Sequence, residues 1–227
     1  MRVEPHPVYL LHRRSLGERS HLLEIFSSEH GRVSCVRRSA GARPTDSLQA
    51  FTPLLAGWSG RGDLPALGAV EALGPGLRLP GGRLAAGLYL NELVVRALAR
   101  LDPAPALYCR YVTTLTVLAG SAEGSGWEWS LRLFERELLA TLGVLVDVVA
   151  DATAEPDEPV YFCPGSGVAA GHAPGRVALS LAARQALTSG QAPESDDARR
   201  EVRRWLRLCL DQAIAAPLKA RSLLLPR

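Results

Sequence analysis

The sequence predicts a multidomain α+β protein: a small closed β-barrel of five strands over residues 1–78, then an α-helical domain over 82–227 that carries an irregular insert at 151–177. Three observations predict it. Apolar and polar residues alternate with period two in short runs between Val8 and Leu73, the mark of strands with one buried face. The chain is then broken by Pro75, Gly76, Pro80, Gly81 and Gly82, and beyond that break the period lengthens to about 3.6. With 227 residues and 47% apolar content, there is ample material for packed cores.

The five strands are expected at Val8–His12, His21–Ser27, Gly31–Val36, Phe51–Ser59 and Leu64–Leu73. Each is set off by turn chemistry: Ser15-Leu16-Gly17, Glu29-His30-Gly31, an arginine loop reaching Pro44, and Ser59-Gly60-Arg61-Gly62-Asp63. So many short strands leave open edges unless they close on themselves, which favours a barrel. An oligonucleotide-binding (OB) type barrel, an SH3-like barrel and a small sandwich all fit this pattern. Phe51 is expected inside the barrel, while Tyr9 and Trp58 fit either face.

After the break, residues 83–101 read as a helix with Leu84, Leu88, Val95 and Leu98 on its buried face, stopped by Asp102-Pro103. A second helix covers 105–119 and ends at Gly120. A third opens with the capping box Ser125-x-x-Glu128, carries Leu131, Phe134, Leu138 and Leu142 at helical spacing, and closes at Gly143. The irregular insert holds one short strand, Val160–Cys163. A short helix at 181–188 follows. Ser195 then caps a last helix that runs to Pro217, with Val202, Trp205, Leu206, Cys209, Leu210 and Ala213 on the buried stripe.

Charge is distributed unevenly. Residues 1–80 carry 10 Arg and Lys against 7 Asp and Glu, residues 81–198 carry 8 against 14, and residues 199–227 carry 8 against 2. Basic ends suit a polyanionic partner. In the first half, Arg37, Arg38 and Arg43 stand in a loop of small residues, and Arg13, Arg14, Arg32 and Arg61 are expected on the same barrel rim. Guanidinium groups on a flexible backbone can follow a phosphate chain; the plainer reading is a solvated hairpin loop. With few aromatics nearby, backbone contact is expected to dominate over base readout. A second basic patch comprises Arg200, Arg203, Arg204 and Arg207 on one helix face with Lys219 and Arg221, where the plainer reading is a solvated helix.

Several classes are not supported. The four cysteines lie far apart without C-x-x-C spacing, which argues against a disulfide framework or zinc knuckle and fits a reducing, cytoplasmic setting. No leader pattern and no long apolar run suggests export or a membrane. Phosphate-loop, nucleophile-elbow and H-E-x-x-H patterns are missing, so no catalytic residues, metal ligands or cofactors are assigned. The acidic run Asp147, Asp151, Glu155, Asp157 and Glu158 reads as a solvated loop far sooner than as a magnesium site of a nuclease.

A set of ordered segments carries a resemblance. These are Gly31-Arg32-Val33, Gln49-Ala50-Phe51-Thr52-Pro53-Leu54-Leu55, Gly60-Arg61-Gly62-Asp63-Leu64, Ala69-Val70-Glu71-Ala72-Leu73 and Gly87-Leu88-Tyr89-Leu90-Asn91-Glu92-Leu93. Leu131-Arg132-Leu133-Phe134-Glu135 with Leu142-Gly143, and Pro217-Leu218-Lys219-Ala220-Arg221-Ser222-Leu223, complete them. Together they resemble the bacterial recombination mediator family RecO over nearly the whole chain.

The resemblance implies an N-terminal OB barrel, a helical domain, and a non-catalytic, nucleoid-associated protein of DNA repair and recombination. It implies binding of single- and double-stranded DNA, annealing of complementary strands, and partnership with RecR in loading RecA onto DNA coated by single-stranded-DNA-binding protein. Family DNA-binding positions carry over to Arg32, Arg37, Arg38 and Arg43, and a site for the coating protein's acidic tail carries over to Arg132. The chain departs from the family at Thr45-Asp46, where more basic residues are expected, and at Cys163, alone where some members hold zinc with four cysteines. It departs again at Ala215-Ala216, which replaces Gly-Gly and favours a longer last helix. The alternative from another class is a protein-interaction adaptor with weak or no DNA binding.

Overall fold

The computed structural model describes residues 2–38, 48–120, 126–145, 159–163, 167–169, 176–214 and 217–224. The chain divides into two compact units, one formed by Met1–Glu123 with Leu218–Arg227 and the other by Gly124–Pro217. The break at Pro75–Gly82 is therefore a change of secondary structure within the first unit, where the sequence suggested a division between domains.

In the first unit five strands, β1 (Arg2–Ser15), β2 (Ser20–Ser27), β3 (Gly31–Arg38), β4 (Pro53–Ser59) and β5 (Ala66–Ala72), close into a barrel in the order β1-β2-β3-β5-β4. All neighbours are antiparallel except β3 and β5, which pair parallel at Val36 and Ala66. This is the five-stranded OB-type arrangement. β1 extends well beyond the expected Val8–His12 because it serves two partners: Arg2–Tyr9 pair with β4 and Val8–Ser15 pair with β2. Its polar ends pair through the backbone, a requirement that apolar patterning does not report. The interior is filled by Val8, Leu10, Leu23, Ile25, Val33, Cys35 and Trp58, among others.

Phe51 is not in that interior. It precedes β4 with φ 62 and is buried beside Gly87, where an added Cβ would lie 2.9 Å from the Phe51 ring and 2.5 Å from Leu79. A left-handed backbone at Phe51 turns its ring out of the strand's alternation, and the period-two expectation fails there. Tyr9 and Phe26 lie on the outside of β1 and β2, edge-on to Tyr111 at 5.5 and 5.6 Å.

Two helices cover that outer face, α1 (Gly82–Ala97) and α2 (Pro105–Ala119). α1 buries Ala86, Tyr89, Leu90, Leu93 and Val94, whereas Leu84 and Leu88, expected to face the core, are exposed. α1 is apolar on nearly every side, so its leucines alone do not mark the packed face. Asn91 locks the helix to the barrel: its Nδ2 donates to the Leu11 carbonyl (3.1 Å), at the irregularity between Leu10 and His12 in β1, and its Oδ1 accepts from Tyr111 Oη (2.7 Å). That bond satisfies a carbonyl the bulge leaves out of the ladder. The neighbouring Glu92 accepts from the Lys219 and Ala220 N–H groups at 2.9 and 2.7 Å, capping a C-terminal 3-10 helix, Ala220–Leu224, that the sequence did not suggest.

The second unit contains α3 (Gly126–Thr141), a three-stranded sheet, α4 (Leu181–Ser189) and α5 (Asp196–Ala213). The sheet has the order β7-β6-β8, with β6 at Val160–Cys163 as expected and β7 (Gly167–Ala169) and β8 (Val177–Leu179) unanticipated. Three-residue strands are too short to display a period. Ser180 and Ser195 cap α4 and α5 by accepting from Ala183 N (3.3 Å) and Ala198 N (3.4 Å). Val202, Trp205, Leu206, Cys209 and Leu210 are buried as expected, and the Trp205 ring meets Phe162 of β6 at 5.5 Å. Ala213 is exposed, and α5 ends there, short of Pro217. Ser125 of the capping box, the acidic run from Asp147 to Glu158, Thr45-Asp46 and Ala215-Ala216 lie outside the described residues.

Candidate nucleic-acid interface

Strand register fixes where the first-half arginines lie. One row of paired residues runs around the barrel: Arg14 opposite Leu22, Leu22 opposite Val36, Val36 beside Ala66, Ala66 opposite Ser59, and Ser59 opposite Arg2. Everything that continues past this row on the same side forms one rim. It comprises the β1–β2 turn and the end of β3 with Arg37 and Arg38; β5 runs parallel to β3 and starts at the row, so the β4–β5 turn with Arg61 leaves the row in the opposite direction. The β4–β5 turn is tied to β3 by a bond from Val36 N to Pro65 O of 2.9 Å. Thus Arg13, Arg14, Arg37 and Arg38 share a rim, and the turn that carries Arg61, expected beside them, does not continue onto it. Arg43 lies outside the described residues.

Alternation sorts these side chains. Leu23 and Cys35 face the barrel interior, so their partner Arg13 and the next inward row, Ser15, His21 and Arg37, line the mouth. Arg14 and Arg38 lie on the outer side of the same edge, and both are exposed together with Arg61. Among the described residues, Arg14, Arg37, Arg38 and Arg61 form no ion pair. Nη1 of Arg37 and Nδ1 of His21, cross-strand neighbours, are buried without a hydrogen-bond partner. A buried donor left unpaired costs about 1–3 kcal/mol, which an anion at the mouth would recover. His21 is the site residue missed by reading charge alone; its place two residues before Leu23 on an alternating strand was the available signal.

Arg32 has another use. It begins β3 at the opposite end, on the outer face with Glu24 and Ser34. Its Nη1 donates to the Val95 carbonyl, one of the free carbonyls at the end of α1, and its Nε lies 4.0 Å from Glu24 Oε2, an ion-pair distance too long for a hydrogen bond. Glu24 is buried; it accepts from Ser34 Oγ at 2.7 and 2.8 Å and meets Arg100 at 3.7 Å. Burial lowers the Arg32 pKa, with Glu24 pulling it up and Arg100 pushing it further down. With its side chain 15% exposed, Arg32 holds barrel to helix and does not join the rim. Next to it, Gly31 has φ 65, and a Cβ there would fall 1.8 Å from the Asp102 carbonyl oxygen. The Gly31-Arg32-Val33 segment is thus a joint in the architecture.

The second basic patch is divided. Lys219 and Arg221 belong to the first unit, the α5 arginines to the second. On α5, Arg200 pairs with Asp197 at 2.5 Å, Arg199 with Asp196 at 3.3 Å, and Arg207 with Asp211 at 3.8 Å, leaving Arg203 and Arg204 exposed without ion pairs among the described residues. The hydrogen bond from Arg200 to Asp197 raises the Arg200 pKa further. Arg132 on α3 pairs with the buried Glu135 at 2.8 Å and keeps 16% of its side chain exposed.

Comparison with known proteins divides the chain at the Pro75–Gly82 break, where the sequence suggested a domain boundary, and not between the two compact units. The family profile described as recombination protein O, N terminal, matches residues 1–75, and that for recombination protein O, C terminal, matches residues 80–222. The chain is 34% identical over 234 residues to the DNA repair protein RecO of Aliivibrio fischeri strain MJ11, covering 96% of this chain and 94% of that one. It is 37% identical over 238 residues to the RecO of Alkalilimnicola ehrlichii (98% and 91% covered) and 35% identical over 232 residues to that of Coxiella burnetii strain CbuG_Q212 (98% of each).

Proposed function

The chain belongs to the RecO family of DNA repair proteins, and on that footing we propose that it binds single- and double-stranded DNA along the barrel rim and anneals complementary strands. The observation that carries this reading is the gathering of Arg14, Arg37 and Arg38 on one rim without carboxylate partners among the described residues. Two phosphate chains repel each other. Guanidinium groups facing both into the mouth and outward neutralise phosphates of two strands at once, and the counterions released favour the complex. Hydrogen bonds to phosphate leave base edges free to pair, which annealing requires.

In this reading the protein acts without catalysis, cofactor or metal, in the bacterial cytoplasm at the nucleoid. RecR and the acidic tail of single-stranded-DNA-binding protein are its protein partners, in the service of RecA loading. A tail carboxylate reaching Arg132 would have to displace Glu135, so that contact is an exchange of partners rather than capture of an idle cation.

The test is a salt titration of oligonucleotide binding beside fluorescence-detected annealing. Affinity should fall linearly on logarithmic axes with a slope of about −0.7 per neutralised phosphate on single strands. Annealing should exceed the protein-free rate at low salt. A slope near zero, or no acceleration, overturns the reading in favour of an adaptor that binds proteins alone.

A further inference from the structure

Two buried nitrogens stand side by side at the barrel mouth, and no group among the described residues bonds to either: Nδ1 of His21 and Nη1 of Arg37. Strand pairing sets His21 at the centre of a row of three, opposite Ser15 on β1 and opposite Arg37 on β3. Directly opposed side chains on one face of a sheet lie about 5 Å apart at Cβ. A hydroxyl, an imidazole and a guanidinium therefore share one small stretch of the inner face. Buried donors rarely go unpaired. Yet neither His21 nor Arg37 has an ion pair among the described residues, and Glu18, the carboxylate of the adjoining β1–β2 turn, pairs with neither.

The mouth is also a blind end. The next pair inward, Leu23 opposite Cys35, belongs to the packed core. A group that reaches the two nitrogens enters from the rim and goes no further. Charge and shape then decide what fits. A guanidinium beside N–H and O–H donors selects an oxyanion. An internal phosphodiester has a sugar on each side, and both sugars would need room next to nitrogens that have almost no exposed surface. A phosphate at the end of a strand has a sugar on one side only, three free oxygens, and a charge of about −2 at neutral pH.

We infer that the mouth seats the terminal phosphate monoester of a nucleic-acid strand. Arg37 and His21 donate to two of its oxygens and the Ser15 hydroxyl lies within reach of the third, while the exposed Arg14 and Arg38 meet the internal phosphates that follow. The protein thereby marks where a strand ends, which internal phosphate contacts cannot do because every one of them is alike. This inference rests on the proposed nucleic-acid reading and names the group that its mouth takes.

The experiment measures the binding of the full chain to one single-stranded oligonucleotide made in four forms: both ends hydroxyl, a 5′-phosphate, a 3′-phosphate, and a 5′-phosphate capped as its methyl ester. A terminal phosphate should tighten binding about tenfold over the hydroxyl form, as charge-assisted hydrogen bonds imply. The arm that shows the gain identifies the end that is seated, and a gain at either end supports the inference. The methyl ester should lose most of the gain, because it is again a diester. His21→Ala should bring the ratio of phosphate to hydroxyl affinity close to one, whatever it does to affinity itself. His21→Asn should keep most of the ratio, since the amide holds an N–H at the same remove from the backbone. Equal binding of hydroxyl and phosphate forms, equal binding of phosphate and methyl ester, or an unchanged ratio in His21→Ala overturns the inference while leaving the arginine rim intact. Failure of the parent to bind any form at low salt overturns the nucleic-acid reading and the inference together.

Discussion

The two ends of β3 carry arginines of opposite fate. At its start Arg32 is committed to the fold, donating to the end of α1 and facing the buried Glu24. At its finish Arg37 and Arg38 have no ion-pair partner among the described residues. All three are separated by only a few residues on one strand, and composition treats them alike. The difference lies in what stands opposite: a carboxylate and an unsatisfied carbonyl at one end, open rim at the other. A cation is available to a ligand only where the protein has not already neutralised it.

The largest expected effect attacks the committed end. Arg32→Ala strands Glu24 with fewer partners and leaves the Val95 carbonyl uncapped, so unfolding should become easier by about 3 kcal/mol. Denaturant titration reads that loss, while the oligonucleotide affinity of the folded protein should be unchanged. If Arg32→Ala instead weakens binding without lowering stability, the comparison is inverted.

Next in size is the response to alkali of the interior between those ends. Burial, aided by the Glu24 charge, pushes the Cys35 thiol up to about 12, against 9.0 when free. The folded state therefore keeps its proton where the unfolded chain releases it, so stability is intact below pH 9 and lost as pH rises from there toward 12. By about pH 10.5 the loss from this group is about 2 kcal/mol. Burial also raises Tyr111 and, to about 11, Cys209 of the second unit, both adding in the same direction. Cys35→Ala should flatten stability against pH between 9 and 12. An unchanged profile would mean that the thiol does not titrate between these states.

Much of this was legible in the sequence. Five strands, their turns and the cap Ser195 follow from local chemistry, and the barrel's closure follows from the need to hide edges. The rim itself was legible because arginines at the ends of consecutive strands must meet once the strands pair. Arg32 was misjudged because its role depends on a carbonyl sixty-three residues away in sequence, that of Val95. Leu84 and Leu88 were misplaced for a related reason: α1 is apolar all round, and only the position of β1 decides which side is covered. Phe51 failed through backbone geometry, since a left-handed residue breaks the alternation that the reading assumed.

A third effect tests the uncommitted end. Arg37→Ala/Arg38→Ala should weaken single-strand binding about tenfold at low salt and reduce the salt slope by about 1 to 1.5. Thermal unfolding should be little altered, because neither side chain carries an ion pair among the described residues.

The smallest effect asks whether neutralisation alone separates committed from available arginines. The outer face of α5 is as arginine-rich as the rim, yet Asp196, Asp197 and Asp211 pair with Arg199, Arg200 and Arg207. Asp196→Asn/Asp197→Asn removes two of these carboxylates from an exposed helix start, at a stability cost below about 1 kcal/mol each from the lost dipole interaction. If pairing is what silences α5, oligonucleotide affinity at low salt should rise by about twofold, and the gain should vanish at high salt, where exposed charges are screened. Should affinity stay fixed, the rim owes its binding to geometry, the mouth formed by His21 and Arg37 above all, and a free guanidinium on a convex helix is no substitute for one in a cradle.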